Sequence, residues 1–210
     1  LRPEDLKPNE MPFGNQLKAA GLYPVYQAAL KKNNALDFDD LLVLAGRLFQ
    51  EVPSLRVYYN DKFKYILVDE FQDTNAVQYG LVRLLCQSHN NICVVGDDDQ
   101  SIYRWRGANI ENILKFENDF PGTTVIKLEE NYRSTQNILN AAGSVVRENR
   151  NRKDKTLWTQ NETGSPVLCY RAADETAEAE FVCEKIQELN RDEGFRFNEI
   201  AILYRTNAQS

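Results

Sequence analysis

The chain has 210 residues, of which 42% are hydrophobic and 27% are charged, a composition typical of a globular protein with one large or two small domains. No apolar run reaches the roughly 18 residues that a membrane span needs, and none has the pattern of a signal sequence. The formal net charge of −6 gives no overall basic field for nucleic acid, although a local groove on an acidic protein can be basic.

The four cysteines, Cys86, Cys93, Cys169 and Cys183, form no CxxC pair, and His89 is the single histidine. This spacing does not predict a metal site. Each cysteine lies in an apolar segment, so we predict buried free thiols. Free thiols fit a reducing, cytoplasmic setting.

The first 62 residues are predicted to be helical. Apolar residues recur at helical spacing in ALDFDDLLVLAGRLF: Leu41, Ala45 and Leu48. Asp37 is the expected N-cap of this helix, with Asp40 three residues later as in a capping box. The segment PVYQAALKKN predicts a shorter helix that begins at Pro24.

From residue 63 the pattern changes to short apolar runs. KYILVDE and NICVVGDDDQ are typical of parallel strands buried on both faces. The segment between them, TNAVQYGLVRLL, has helical spacing, so the three predict a βαβ unit. A third strand is predicted in TTVIKLEEN, and the fold class is therefore α/β with a helical N-terminal segment.

The remaining chain continues the alternation. Ser134 is the expected cap of a helix through TQNILNAAGSVV, and a second helix, ETAEAEFVCEKIQEL, should end before Gly194. PVLCYR and EIAILYR are predicted strands. The basic stretch RENRNRKDK, residues 147–155, is predicted to lie at the surface.

Two adjacent acids, Asp69 and Glu70, end the first predicted strand. Acids at the carboxyl end of a parallel strand lie where open α/β sheets bind ligands. There Asp69 could hold Mg²⁺, usually through water, and Glu70 could accept a proton from an attacking water near a triphosphate. The alternative is that Asp69 caps the following helix and Glu70 is merely exposed.

Three acids, Asp97 to Asp99, follow the second predicted strand. A metal cluster is one interpretation, but adjacent side chains on extended backbone point in opposite directions. Turn and cap roles for one or two of these acids are therefore favoured. Gln100 follows them, and its amide can donate to a phosphate oxygen and accept from a water, as a γ-phosphate sensor would.

Aromatic and cationic residues alternate in SIYRWRGAN, where Tyr103 and Trp105 interleave with Arg104 and Arg106. Bases stack on such aromatic faces at roughly 1–3 kcal/mol each, and arginines bind phosphates. The alternative is that Trp105 anchors the core beside Ile102. Two aromatics with two arginines in four residues favour nucleic acid.

The motif LEENYRST follows the third predicted strand. Arg133 could act as an arginine finger that stabilises charge on a transferring phosphoryl group, and Tyr132 could stack on a nucleobase. The alternative is an ordinary loop that ends at the Ser134 cap, and both interpretations are compatible.

Together these stretches resemble the UvrD/PcrA/Rep group of superfamily-one DNA helicases. VDEFQDTN resembles the Walker B motif of that group, VGDDDQSIYRWRGA its third motif and LEENYRST its fourth. Their order and spacing fit too, and the resemblance extends more weakly over nearly all of the chain. It implies ATP as cofactor, with Asp69 as the Mg²⁺ ligand and Glu70 as the catalytic base. It also implies that Gln100 couples the γ-phosphate to DNA, that Tyr132 packs on adenine and that Arg133 reaches the γ-phosphate.

The same resemblance implies that Tyr103, Trp105 and Arg106 contact single-stranded DNA, with Trp105 stacking on a base. Helicases of this group move 3′ to 5′ along one strand and unwind duplex junctions. DNA-repair or replication proteins are the implied partners.

The resemblance further implies an incomplete RecA-like parallel sheet of the P-loop NTPase type. Residues 1–62 would end a helical accessory subdomain, 63–130 would complete the first motor domain and 131–210 would open the second. A P-loop needs GxxxxGK[ST], yet none of the ten glycines is followed by lysine. We therefore expect an internal fragment, with the P-loop upstream and a second arginine finger downstream, that does not turn over ATP alone.

Three other functions are compatible with these residues. A helicase–nuclease relative would share the motifs, and a non-catalytic DNA-binding or docking module would lack the P-loop throughout. A metal-dependent phosphohydrolase would use Asp69, Glu70 and the Asp97 to Asp99 cluster, and it predicts hydrolysis by this chain alone.

Overall fold

The computed structural model describes residues 15–149, 152–153 and 155–206. They form two compact units: the first extends to Glu130 and resumes from Gly143 to Leu157, and the second comprises Asn131–Ala142 and the residues from Trp158 onwards. The helices are, in chain order, α1 (Asn15–Lys32), α2 (Phe38–Glu51), α3 (Pro53–Lys62), α4 (Ala76–Cys86), α5 (Glu111–Leu114), α6 (Phe116–Asp119), α7 (Gln136–Val146) and α8 (Glu175–Asp192). None of the helices found in these residues is both long and apolar enough to cross a membrane.

Residues 15–62 are mainly helical as predicted, whereas residues 1–14 of that prediction lie outside the described residues. Local signals place one of the two predicted helix starts correctly. The side chain of Asp37 accepts from the backbone N–H of Asp40 at 2.8 Å, and Asp40 accepts from the N–H of Asp37 at 3.3 Å, so the capping box of α2 is confirmed. The helix predicted to begin at Pro24 is wrong, because α1 starts at Asn15 and contains Pro24. Good helix formers on both sides of the proline let the helix continue through it.

The βαβ unit is confirmed. Strands β1 (Ile66–Val68) and β2 (Ile92–Val94) are parallel, with Leu67 opposite Cys93, and α4 connects them. Asn75 caps α4 in a second capping box with Gln78. The alternative in which Asp69 caps this helix is therefore wrong.

The core of the first unit lies on one face of the β1–β2 pair. Phe71, Tyr79 and Phe116 form its buried cluster, and the ring of Phe71 meets each of the other two edge to face at 5.6 Å. On the opposite face Leu67 is 78% exposed. The prediction of strands buried on both faces is wrong here, because the described helices cover only one face.

All four cysteines are free as predicted, but only Cys86 is buried. The prediction of buried thiols is wrong for the other three, Cys93, Cys169 and Cys183, which are exposed. Cys93 is exposed because it lies beside its register partner Leu67, on the uncovered face of the sheet.

The strands predicted in TTVIKLEEN, PVLCYR and EIAILYR are not formed. A strand needs a hydrogen-bonded neighbour, and an apolar pattern reports burial without supplying that neighbour. Within the second unit, PVLCYR instead packs through Tyr170, whose ring stacks on Phe181 of α8 at 3.8 Å. The end of α8 is as predicted, since Gly194 follows it with φ 76°.

The predicted cap of α7 is wrong by one residue. The first helical bond runs from Leu139 N–H to the carbonyl of Thr135, so the helix starts after Thr135 rather than after Ser134.

Candidate functional site

The loops that follow β1 and β2 are held side by side at one edge of the sheet. Val95 N–H donates to the carbonyl of Val68 at 2.8 Å, and Phe71 N–H donates to the carbonyl of Val95 at 3.0 Å. These two bonds extend the strand pairing into the loops. The acids predicted after each strand are thereby brought to the same edge, where open α/β sheets bind ligands.

Glu70 has a strained backbone and an oriented carboxylate. Its φ of 50° and ψ of 40° lie in the left-handed region, which is costly for a residue with a side chain and is concentrated at functional sites. Gln72 Nε2 donates to Glu70 Oε2 at 2.7 Å, and Glu70 N–H donates to Asp69 Oδ1 at 2.9 Å. Both acids remain exposed, so Glu70 can accept a proton from a bound water.

Asp69 fits a magnesium ligand of the water-mediated kind. Mg²⁺ keeps several of its waters and is usually held by one or two carboxylates together with substrate phosphates. No group of three or more His, Cys, Asp and Glu side chains within the described ranges could hold a metal alone. A single exposed carboxylate next to the candidate base is a donor set that matches this shared coordination.

Gln72 connects the two loops, and sequence reasoning missed it. The residue is 1% exposed, and its Oε1 accepts from Asp97 N–H at 3.0 Å. A Cβ on Gly96 would lie 2.5 Å from the same oxygen, so only glycine leaves room for the bridge. The available signal was a polar residue two positions after Glu70, which by itself has no distinctive pattern.

Asp97 has the turn role that the sequence favoured. Its Oδ1 accepts from Asp99 N–H at 3.0 Å, and its Oδ2 accepts from Gln100 Nε2 at 2.8 Å. Glu70, Gln72, Asp97 and Gln100 therefore form one continuous hydrogen-bonded chain. It joins the candidate base to the candidate γ-phosphate sensor.

The basic stretch 147–155 is not simply a surface segment. Arg152 donates to both carboxylate oxygens of Asp99 at 3.1 and 2.8 Å, and the two side chains are only 12% and 6% exposed. Lys153 N–H donates to Asp98 Oδ2 at 2.7 Å. Residues 147–149 are exposed as predicted, whereas the Arg152 side chain is largely buried by its pairing with Asp99, 53 positions earlier in the chain.

Lys155 completes the contact with the three acids. Its Nζ pairs with Asp97 Oδ1 and lies 3.8 Å from Asp98 and 3.5 Å from Asp99. Burial raises the pKa of Asp97, but hydrogen bonds from Lys155 and Gln100 outweigh it, so that pKa is below its usual value. Carboxylates already paired with cations are poor metal ligands, which disfavours the phosphohydrolase alternative.

The aromatic and cationic residues form an exposed cluster. The Arg106 guanidinium lies 4.7 Å from the Trp105 ring centroid and 5.6 Å from that of Tyr103, and the two rings are 6.4 Å apart. Trp105 is 74% exposed and Ile102 is 68% exposed. Trp105 is therefore no core anchor, and its ring is available for stacking with a planar ligand.

Tyr132 and Arg133 lie in the second unit, in a turn organised by Asn131. The side-chain oxygen of Asn131 accepts from the N–H groups of Arg133 at 3.0 Å and of Ser134 at 2.8 Å. Both candidate ligand-binding side chains are exposed beside this turn. The turn agrees with the loop interpretation, and the binding roles of Tyr132 and Arg133 stay predictions.

Known proteins have sequences similar to this chain over almost the whole length of the chain. The ATP-dependent DNA helicase PcrA of Staphylococcus epidermidis is 52% identical over 208 residues, which are 99% of this chain and 28% of the relative. PcrA of Staphylococcus aureus is 51% identical over the same number of residues, with the same coverage. The chain thus spans less than a third of the relatives that it matches.

Two domain families account for both parts of the chain. The UvrD-like helicase C-terminal domain matches residues 126–210, a range that includes Tyr132 and Arg133. The UvrD/REP helicase N-terminal domain matches residues 1–121, a range that includes the two linked loops and the aromatic cluster. The chain belongs to the UvrD/REP helicase family.

Proposed function

We propose that this chain is part of an ATP-dependent DNA helicase and supplies its hydrolytic carboxylates, its γ-phosphate sensor and part of its DNA contact. One observation carries the proposal. The hydrogen-bonded chain from Glu70 through Gln72 and Asp97 to Gln100 ends three residues before the exposed aromatic cluster. Residues suited to ATP hydrolysis are therefore connected, through hydrogen bonds and a short stretch of backbone, to residues suited to base stacking.

At the nucleotide, each residue has a distinct role. Asp69 would hold Mg²⁺ through water, and the metal would neutralise charge on the phosphates. Glu70 accepts the proton of the attacking water, and Gln100 contacts the γ-phosphate. By the family resemblance, Arg133 would reach the γ-phosphate and Tyr132 would pack on adenine.

At the DNA, Trp105 stacks on a base of the single strand, and Tyr103 and Arg106 contact the neighbouring nucleotide. Movement is 3′ to 5′, driven by two RecA-like domains that close on ATP. Residues 1–62 belong to the accessory subdomain, 63–130 to the first motor domain and 131–210 to the second. The protein works in the cytoplasm in DNA repair or replication.

The test compares ATP hydrolysis with and without single-stranded DNA, in the protein expressed from the complete reading frame. Glu70→Gln removes the base and should lower the DNA-stimulated kcat by roughly 10²- to 10⁴-fold. Glu111→Gln is the matched control, because Glu111 is a partly exposed acid of the same unit whose carboxylate pairs with Lys115, at 2.7 Å. Its kcat should stay close to that of the wild type.

Two results would count against the proposal. Hydrolysis that survives Glu70→Gln would remove Glu70 as the base. Absence of hydrolysis in the wild type, with single-stranded DNA still bound, would favour the non-catalytic DNA-binding module.

A further inference from the structure

Gln72 makes two polar contacts that no other type of side chain could make together. Its amide nitrogen donates to the carboxylate of Glu70, and its amide oxygen accepts from the backbone of Asp97. Both contacts require the same orientation of the amide, because a carboxylate only accepts and a backbone N–H only donates. A glutamate would lose the donor, and an apolar residue would lose both contacts.

The amide has little freedom to move independently of the loop that follows β2, residues 95–101, which we call the β2 loop. Gly96 approaches so closely that an added Cβ would lie 2.5 Å from Gln72 Oε1. Ser101 Oγ also donates to the backbone carbonyl of Gln72 at 3.4 Å, which ties the main chain of Gln72 to the same loop. A displacement of the β2 loop therefore displaces Gln72, and Gln72 holds Glu70 through a single hydrogen bond of 2.7 Å.

We propose that Gln72 is a positioning residue that transmits the state of the β2 loop, which carries Gln100 and leads to the DNA-contacting cluster, to the Glu70 carboxylate. This role rests on the function proposed above and adds the route by which bound DNA accelerates hydrolysis. DNA that engages Trp105 shifts the loop, the loop shifts the Gln72 amide, and the amide aligns Glu70 with the attacking water. Gln72 itself does not touch the nucleotide or the DNA.

The experiment uses two substitutions in the protein expressed from the complete reading frame. Gln72→Met preserves side-chain length and removes both polar contacts. Gln72→Glu preserves the acceptor for Asp97 N–H but removes the donor and places a like charge beside Glu70. Gln78→Met is the matched control, because Gln78 is also a hydrogen-bonded glutamine of the same unit, at the start of α4.

We measure kcat with and without single-stranded DNA, the KM for ATP, the Kd for a labelled single strand and the melting temperature. For both Gln72 variants we expect the DNA-stimulated kcat to fall roughly 10- to 100-fold, the size of effect that misplacement of a catalytic group produces. The ratio of stimulated to basal kcat should fall as well, whereas KM and Kd should stay within about twofold. A purely structural role would instead lower the melting temperature in step with activity, and the control Gln78→Met should keep the ratio of stimulated to basal kcat of the wild type.

The possible failures are distinguishable. If single-stranded DNA stimulates ATP hydrolysis equally in the wild type and in Gln72→Met, the role of Gln72 is overturned and the proposed function is not. Equal losses in the Gln72 and Gln78 variants would also overturn it, because the loss would then follow stability. If Gln72→Met does not fold, unchanged stimulation in Gln72→Glu would still refute the role. A wild type without stimulation would overturn the proposed function and this role together.

Discussion

Substituting Gly96 with alanine tests how tightly the two loops are packed. The new Cβ would lie 2.5 Å from Gln72 Oε1, 3.0 Å from Ile113 Cδ1 and 3.2 Å from the Phe71 nitrogen. The shortest of these distances is impossible for a carbon and an oxygen that are not bonded, so either the Gln72 amide moves or the backbone does. Gly96 does not have a positive φ, so alanine itself is not strained there.

The expected magnitude follows from those two responses. If the amide moves, Asp97 N–H loses its acceptor, which costs about 1–3 kcal/mol for a buried group. If the backbone shifts instead, overpacking costs about 1–3 kcal/mol. The reduced chain entropy of alanine in the unfolded state offsets about 0.4–1 kcal/mol. We therefore expect the free energy of unfolding to fall by about 1–2 kcal/mol.

Urea denaturation of the 210-residue chain, followed by circular dichroism, measures this change. Gly80→Ala provides a control of opposite sign, because Gly80 lies inside α4 and an added Cβ there has no atom within 4 Å. That substitution should stabilise the chain by about 1 kcal/mol through helix propensity. The contrast separates the effect of packing at Gly96 from the general effect of replacing glycine.

A double-mutant cycle decides whether Gln72 is the obstacle. Gln72→Ala removes the amide, so Gly96→Ala should cost less in that background, with a coupling free energy of about 1 kcal/mol or more. The reasoning fails if Gly96→Ala is neutral in the wild type. It also fails if the cost is the same in both backgrounds.

Three further substitutions test other contacts. Tyr79→Phe removes the hydrogen bond to Asp119 and should lower the free energy of unfolding by about 1 kcal/mol. Because burial and that bond raise the pKa of Tyr79, the stability of the wild type should fall as pH rises above about 10. A Tyr79→Phe variant whose stability falls equally with pH would contradict this. The pKa of Asp97 is lowered despite burial. Its contribution to stability is therefore present above the ordinary pKa of about 3.9 and is lost as pH falls through the lower pKa of the folded state. Asp97→Asn should reduce the loss of unfolding free energy at acid pH in urea titrations, and equal losses in the variant and the wild type would refute the assignment. In the protein from the complete reading frame, Trp105→Ala should weaken single-strand binding by about 1–3 kcal/mol in anisotropy titrations, whereas equal weakening by the control Trp158→Ala would argue against stacking at Trp105.

Elements with local signals were predictable from the sequence. The caps Asp37 and Asn75 lie next to the helices that they start, and the turn after β2 is organised by Asp97 within three residues of itself. Capping and turn chemistry act over a few residues, so a sequence pattern can contain them. The starts of α1 and α7, which local signals misplaced, show that such a pattern does not fix every helix end.

Features that depend on distant partners were not predictable. The bridge formed by Gln72 exists only because Asp97 lies 25 positions later, and the pairing of Arg152 with Asp99 spans 53 positions. The predicted strand TTVIKLEEN has the apolar pattern of a strand, but among the described residues it forms no ladder, and only Glu130 at its end makes an isolated bridge. In each case the local pattern is compatible with several structures, and the tertiary contact selects one.

The pairing of the three acids with the basic stretch also explains how this loop can serve a triphosphate. Three adjacent carboxylates would repel a polyanion and hold Gln100 in a field of the wrong sign. Arg152 and Lys155 offset two of these three negative charges, with Lys155 Nζ within 4 Å of all three acids. Asp97 then acts as a hydrogen-bond acceptor that orients Gln100 without adding net charge. The acidic loop and the basic stretch are therefore one structural feature, in which the second reduces the negative charge of the first, as the proposed ATP site requires.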